Sequence, residues 1–506
     1  MSERARSCCD KLRIACAVAL TACLSIAFAH GEPARLHHYS VAIDESLVTL
    51  RVRACFSGAP PRRLVAASID AEDALEKVEL EGAKRAFTTN GTEMRLGSLP
   101  DGACIAYAVD LGRLTTSSSK ARAAQRVGGD LITDLGTWFW RPDVLEADED
   151  IDVEFVLPAG MSVSTPWQVT ALDGRVVHRV GHGPYDWPAA IAFGHFSERI
   201  LELPQARLRI ALLGESKLDQ ARITNWLRRA AAAVTTLYGR FPVPAVQIIV
   251  VPGARGNEAV PSAYVLRGGG LSAHFFVNQN RPGEELDADW TAVHELSHLL
   301  LPYVLSTDAW LSEGAASYLE HVLRARAGSI GAQEAWQHIH EGFKRGMQSG
   351  ARGQSLADAT ERMYRSGAFL RVYWEGAAIM LLADQRLRSR TGDSQSLGSA
   401  LDALQRCCLS PDVGWTGREV FRKLDELTGT TVFAELYEEY VHSATLPDIA
   451  ETDQLLGLQQ MADGRVVLLE DAPQRAARDA IMRGAERGST QPGHAAGAAQ
   501  VSPDRQ

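Results

Sequence analysis

Five residues, His294-Glu295-Leu296-Ser297-His298, constrain the fold of this chain more than any other stretch. On a helix, imidazoles four positions apart sit one turn apart on the same face. From that face they can converge on one divalent cation. Glu295, one position on, points around the axis toward a water held by such an ion. The surrounding run DWTAVHELSHLLL is apolar at Trp290, Val293, Leu296, Leu299 and Leu300, so this helix is expected to be buried. Pro302 stops it, because proline lacks the donor and clashes with the preceding turn.

A second helix is expected to start near Asp308, a good N-cap residue. Its apolar stripe runs through Leu311, Ala315, Tyr318, Leu319, Val322 and Leu323, while Glu313, Ser317 and Glu320 share another face. Packed antiparallel to the first helix, it can supply Glu313 as a third protein ligand and leave one position open for water. Glu320 has two readings, a carboxylate orienting a ligand or a solvated helix residue. An N,N,O site with one open position suits a single zinc ion.

HELSH followed by WLSEGAASYLE resembles the gluzincin metallopeptidases, which share a HExxH helix and a downstream glutamate ligand. Aminopeptidase N-like members read WLNEGFASY where this chain has Trp310–Tyr318. Fourteen residues separate His298 from Glu313, fewer than in those enzymes, which shortens the loop between the helices. The stretch VYWEGAAIMLLADQRLRSRTGDSQSLGSALDAL (Val372–Leu404) is similar to the YxKGALVALLLDLELRRRTG stretch of the glycyl aminopeptidase family. LTGTTVFAELYEEYVHSATLPD (Leu427–Asp448) fits that family's catalytic-domain end. The resemblance covers roughly residues 200–450 and is most specific in the zinc motifs.

The resemblance implies His294, His298 and Glu313 as zinc ligands, Glu295 as general base, and Tyr373 as the tyrosine that steadies the tetrahedral intermediate. A phenol beside the metal is chemically suited to donate to a developing oxyanion. Asp308 matches an aspartate able to orient a ligand histidine; its N-cap reading is equally good. Aminopeptidases of this type also carry a glycine-rich edge strand with a glutamate for the substrate's ammonium group. That place here holds RGGGLSAHFFVN (Arg267–Asn278), with Ser272 at the glutamate position. Gly269 and Gly270 suit close approach of an extended peptide, or a flexible loop. Serine does not pair with an ammonium as a carboxylate does, and Glu320 or Glu258 are the candidate substitutes.

Residues 1–29 read as a signal peptide. Arg4, Arg6, Lys11 and Arg13 precede an apolar run, Ile14–Ala29, ending in Ala27-Phe28-Ala29. Leu20-Thr21-Ala22-Cys23 resembles a lipobox, but the stretch after Cys23 stays apolar, which favours ordinary export to the periplasm or beyond. The leader run is short for a membrane span and no later segment qualifies. Beyond the leader the cysteines are Cys55, Cys104, Cys407 and Cys408. In an oxidising compartment Cys55–Cys104 is the natural disulfide, and the adjacent Cys407 and Cys408 either bridge or leave one thiol free. Formal charge is −10 overall and +2 in the leader, hence −12 beyond it. That balance argues against nucleic acid or an anionic membrane as partner, and the resemblance implies a peptide substrate.

The chain is expected to be multidomain. Residues 30–203 read as an all-β sandwich-like domain, with period-two alternation at Val48, Leu50, Val52 and Ala54 and at Ile151, Val153, Phe155 and Leu157. Residues 204–447 read as a thermolysin-like α+β zinc peptidase domain with a mostly helical C-terminal half. It contains strands at Leu208–Leu212, Val246–Val251 and Ser272–Val277 and a helix closed by Gly239. His338 and His340 read as surface histidines. Residues 448–474 read as a short remnant with a strand at Arg465–Leu469, and 475–506 as a fraying helix and disordered tail. The function these features point to is an exported zinc metallopeptidase, aminopeptidase-like. The alternatives are an endopeptidase of the same fold or a non-catalytic binding module.

Overall fold

The computed structural model describes residues 35–83, 87–116, 123–172, 174–215, 217–349, 353–409 and 412–483. The signal peptide read at 1–29, with its cysteines and cleavage site, and the tail beyond residue 483 lie outside the described residues.

The N-terminal part is β-rich. Strand Thr49–Cys55 buries Leu50, Val52 and Ala54 and exposes Arg51 and Arg53, as period-two patterning requires of a half-buried strand. It lies in a seven-stranded sheet whose spatial order is 168–172, 175–179, 149–156, 35–43, 49–55, 104–110, 75–80. Neighbours are antiparallel except Arg35–Ile43 beside Glu149–Val156. A four-stranded sheet (162–164, 190–194, 130–134, 124–127) adds the second layer. Tyr39, Trp138, Trp140, Phe139, Trp167 and Phe193 form the aromatic centre of this core, each fully buried large side chain contributing on the order of 2 kcal/mol or more. Cys55 and Cys104 face one another on adjacent strands and are joined by a disulfide. Cys407 and Cys408 are bonded to each other.

The second part opens with a five-stranded sheet, its elements numbered here from its first strand: β1 (Glu198–Leu203), β2 (Ala206–Leu212), β3 (Ala245–Gly253), β4 (Ser262–Leu266) and β5 (Ser272–Asn278). Their order is β1-β2-β3-β5-β4. β2, β3 and β5 run parallel, and β4 is an antiparallel edge. Helix α1 (Gln220–Tyr238) makes the crossover from β2 to β3. The Asp219 carboxylate caps its first turn, and Gly239 ends it in the left-handed conformation at φ 72°. The chain is then mostly helical: α2 (Thr291–Ser297), α3 (Ala309–Arg326), α4 (Ala332–Gln348) and α5 (Phe369–Thr391) carry the features that follow.

Three sequence expectations need correction. The glycine run does not line a substrate-facing edge: β4 is the edge, and Ser272 starts the inner strand β5, fully buried and 2.6 Å from Nε2 of His274. The glycines are the seam between the two parts. Gly181 N donates to the Gly269 carbonyl, and a Cβ on Gly268 or Gly270 would meet the Trp187 or Pro166 carbonyl at 2.2 or 2.1 Å. His340 is buried and bonded to the Trp336 carbonyl and to Asp453, whereas its neighbour His338 is partly exposed. Residues Arg475–Met482, placed in the tail, form a helix that buries Ala477, Ile481 and Met482, and Arg326 donates to the Ile481 carbonyl.

Candidate metal centre

Every residue of α2 is buried, wedged among α1, α3 and the strands β4 and β5. The helix ends at Ser297 and tightens into a single 3-10 turn, His298–Leu300, before Pro302. Half-buried Arg267 holds that turn by donating to the carbonyls of His298 (2.6 Å) and Leu301 (3.3 Å). A cation is well suited to the unpaired carbonyls at a helix end.

His294 and His298 present their Nε2 atoms to Glu313, on the first turns of α3. Oε2 of Glu313 lies 3.4 Å from Nε2 of His294 and 3.7 Å from Nε2 of His298. One ligand atom from each of the three lies within 4.8 Å of the others. Tetrahedral coordination at zinc bond lengths sets ligand atoms about 3.4 Å apart, so the set fits such an ion. The remaining ring nitrogens are already engaged. Nδ1 of His294 is 2.7 Å from Oε2 of Glu320, and Nδ1 of His298 is 2.9 Å from Oγ of Ser312. Hydrogen bonds at Nδ1 leave the Nε2 lone pairs directed at the centre.

Glu295 is buried beside this set. Burial chiefly pushes its carboxyl up to about 7; Glu313 and Glu320 push the same way and His294 opposes them. Glu320 goes in the other direction. Burial would raise it, but His321 and His294 outweigh burial and hold it near 2. Tyr373 on α5 lies with its ring nearly parallel to that of His294, centroids 6.2 Å apart. Its phenol, raised by burial and then by the nearby Glu313 carboxylate, is a neutral donor. Trp290, 44% exposed, stands edge-on to His294 at 5.6 Å and borders the centre from solvent.

The structure thus brings together His294, His298, Glu313, Glu295, Tyr373 and Glu320. Gly269, Gly270 and Ser272 lie in the interdomain seam and on an inner strand, not in a peptide cradle. Asp308 stands at the N-cap position of α3, as expected, but its side chain makes no capping bond and reaches no ligand histidine; its Oδ1 accepts from Nε1 of Trp310. At His298 the partner of Nδ1 is Ser312. Ser312 and Arg267 were missed. The signals for them were the serine before the ligand glutamate in WLSEG and the arginine before the glycine run.

Comparison with known proteins follows the same lines. The family model of the M61 glycyl aminopeptidases matches residues 302–379, which include Glu313, Glu320 and Tyr373. A search of curated proteins finds no match to this chain. Among solved structures, an aminopeptidase N family protein from Idiomarina loihiensis is similar at TM-score 0.64 and 14% identity, over 84% of this chain and 78% of that one. A variant M1 zinc metallopeptidase from Deinococcus radiodurans, bound to a Tyr-Ser-Ala substrate, is similar at TM-score 0.52 and 16% identity, over 82% and 94%. The fold is that of two-domain M1 metallopeptidases. Fold and family match agree with the gluzincin aminopeptidase resemblance read from the sequence, and with a zinc metallopeptidase hydrolase as the kind of enzyme.

Proposed function

We propose that this chain is an exported, zinc-dependent peptidase of aminopeptidase type, with His294, His298 and Glu313 holding one ion. The observation that carries the reading is the convergence of three ligand atoms whose partner nitrogens are both hydrogen-bonded elsewhere, with a buried carboxyl and a phenol at the same point. A zinc ion there would supply Lewis acidity, polarising the scissile carbonyl and acidifying water.

The rest is work for the chain's own groups. Glu295, the buried carboxyl, takes the proton of the attacking water and returns it to the leaving amine, a role for which a pKa near neutrality is suited. Tyr373 donates its phenolic proton to the oxygen that gains negative charge. Glu320 and Ser312 keep the histidine rings in place throughout.

Which end of a peptide is chosen turns on an ammonium anchor. Ser272 is buried and Glu320 is committed to two histidines. That leaves Glu258, exposed on the loop that leads to edge strand β4, which packs on α2. The deciding experiment compares one peptide with a free and an acetylated amino terminus. Aminopeptidase action predicts that acetylation abolishes cleavage; internal cutting of the blocked peptide would identify an endopeptidase. Sequencing the N-terminus of the secreted protein tests export: a start just after Ala29 supports it, and retention of Met1 on an intracellular protein refutes it.

A further inference from the structure

Glu320 does not serve His294 alone. Its Oε2 is 2.7 Å from Nδ1 of His294, and its Oε1 is 3.0 Å from Nε2 of the next residue, His321. Both are buried, Glu320 4% and His321 6% exposed. An ionised carboxylate only accepts, so each imidazole donates one N–H to it.

His321 is itself held in a column of rings. Its ring lies against His338 at 5.3 Å and 24°, and against Trp374 at 6.1 Å and 16°. The guanidinium of Arg345 lies over the Trp374 ring at 5.5 Å. The column joins α3, α4 and α5, and Trp374 follows Tyr373 directly. Gly342 and Gly346 of α4 leave room for it, since a Cβ on either would lie within 2.6 Å of Trp374 atoms.

Nδ1 of His321 is buried and has no hydrogen-bond partner among the described residues. The ring therefore carries a proton on Nε2, the atom that faces Glu320.

We propose that His321 is a positioning residue for the metal centre: stacked against His338 and Trp374, it pins Glu320, which in turn fixes the tautomer and tilt of His294. The inference rests on the metallopeptidase reading of the centre. It extends the ordered shell one residue beyond the carboxylate, to a side chain that touches neither substrate nor ion. Glu320 is its hydrogen-bonded link to the centre.

The test is zinc affinity of the full chain, measured by competition with a chromogenic chelator for wild type, His321→Phe and His321→Gln. Phenylalanine keeps a ring in the column but has no N–H. It should weaken zinc binding about ten- to a hundredfold, with kcat falling and KM little changed. Glutamine can donate to Glu320 and should recover most of that loss. Wild-type zinc affinity in a folded His321→Phe protein would overturn the inference, as would equal losses in both variants, which would mark a purely structural role. A wild-type chain that binds no zinc would instead overturn the metallopeptidase reading, and this inference with it. Should the phenylalanine variant not fold, the imidazole nitrogen spectrum of histidine-labelled wild type decides. A proton on Nε2 of His321 supports the inference, and a ring with Nε2 unprotonated contradicts it.

Discussion

Gly314 and Gly376 meet backbone to backbone where α3 crosses α5. A Cβ on Gly314 would sit 2.3 Å from the carbonyl carbon of Gly376, and one on Gly376 would sit 2.1 Å from the Trp310 carbonyl oxygen. Two helices approach this closely only where both lack side chains. Glu313 immediately precedes the first glycine and Tyr373 lies three residues before the second. The contact therefore sets the distance between the Glu313 carboxylate and the Tyr373 phenol.

Gly376→Ala should force the two helices apart. Overpacking of this kind costs about 1–3 kcal/mol, read as a lower midpoint in denaturant unfolding. Turnover should fall further than stability alone explains, because Tyr373 moves off Glu313. A variant with wild-type stability and kcat would show that the crossing does not position the site.

Ser312→Ala and Asp308→Asn separate two candidates for the same task. Only Ser312 reaches Nδ1 of His298, while Asp308 accepts from Trp310. Loss of a ligand's outer hydrogen bond typically weakens metal binding about ten- to a hundredfold. Chelator competition should show that loss for Ser312→Ala and no change for Asp308→Asn.

Glu258→Gln addresses the amino-terminal anchor. Removing the charge should raise KM for peptides with a free amino terminus by about tenfold, the loss of one charge-assisted contact of roughly 1.5 kcal/mol. kcat should change little. Equal KM values for variant and wild type would take Glu258 out of substrate binding.

Stability should fall in mild acid, in part through His178. Burial chiefly, and then Arg209, lower this imidazole to about 4, while an unfolded histidine titrates near 6.5. The unfolded state thus binds more protons than the native state between these values. This contribution to stability is full above about pH 6.5 and is lost as the pH falls toward 4, on the order of 3 kcal/mol in all. His178→Gln, which can still bond Thr165 Oγ1 in place of Nδ1, should flatten the slope of unfolding free energy against pH over that window. An unchanged slope would mean that His178 is protonated in the native state.

The metal centre was legible because its information is local. The i,i+4 histidines need only a helix, and the stripe Leu311–Leu323 sets which side of α3 faces inward and hence where Glu313 points. The β-domain was legible for a similar reason, since period two along Thr49–Cys55 names its own buried face. What failed depended on long-range placement. A glycine run signals that some backbone comes close; it does not say that the backbone belongs to Pro166 and Trp187, about a hundred residues earlier. Nor does local pattern tell that the edge of the sheet is Ser262–Leu266 and not Ser272–Asn278, because strand order is a property of the whole sheet. Asp308 against Ser312 was a matter of one helical turn of rotation. His340 looked polar and exposed until Asp453, far along the chain, supplied a partner.

The most direct measurement of the central claim pairs metal analysis with turnover for wild type and Glu295→Gln. The account predicts about one zinc per chain in both proteins, and hydrolysis of a free-amino peptide reduced about a hundredfold to ten-thousandfold in the variant. Undiminished hydrolysis by zinc-loaded Glu295→Gln, or no zinc in either protein, would contradict it.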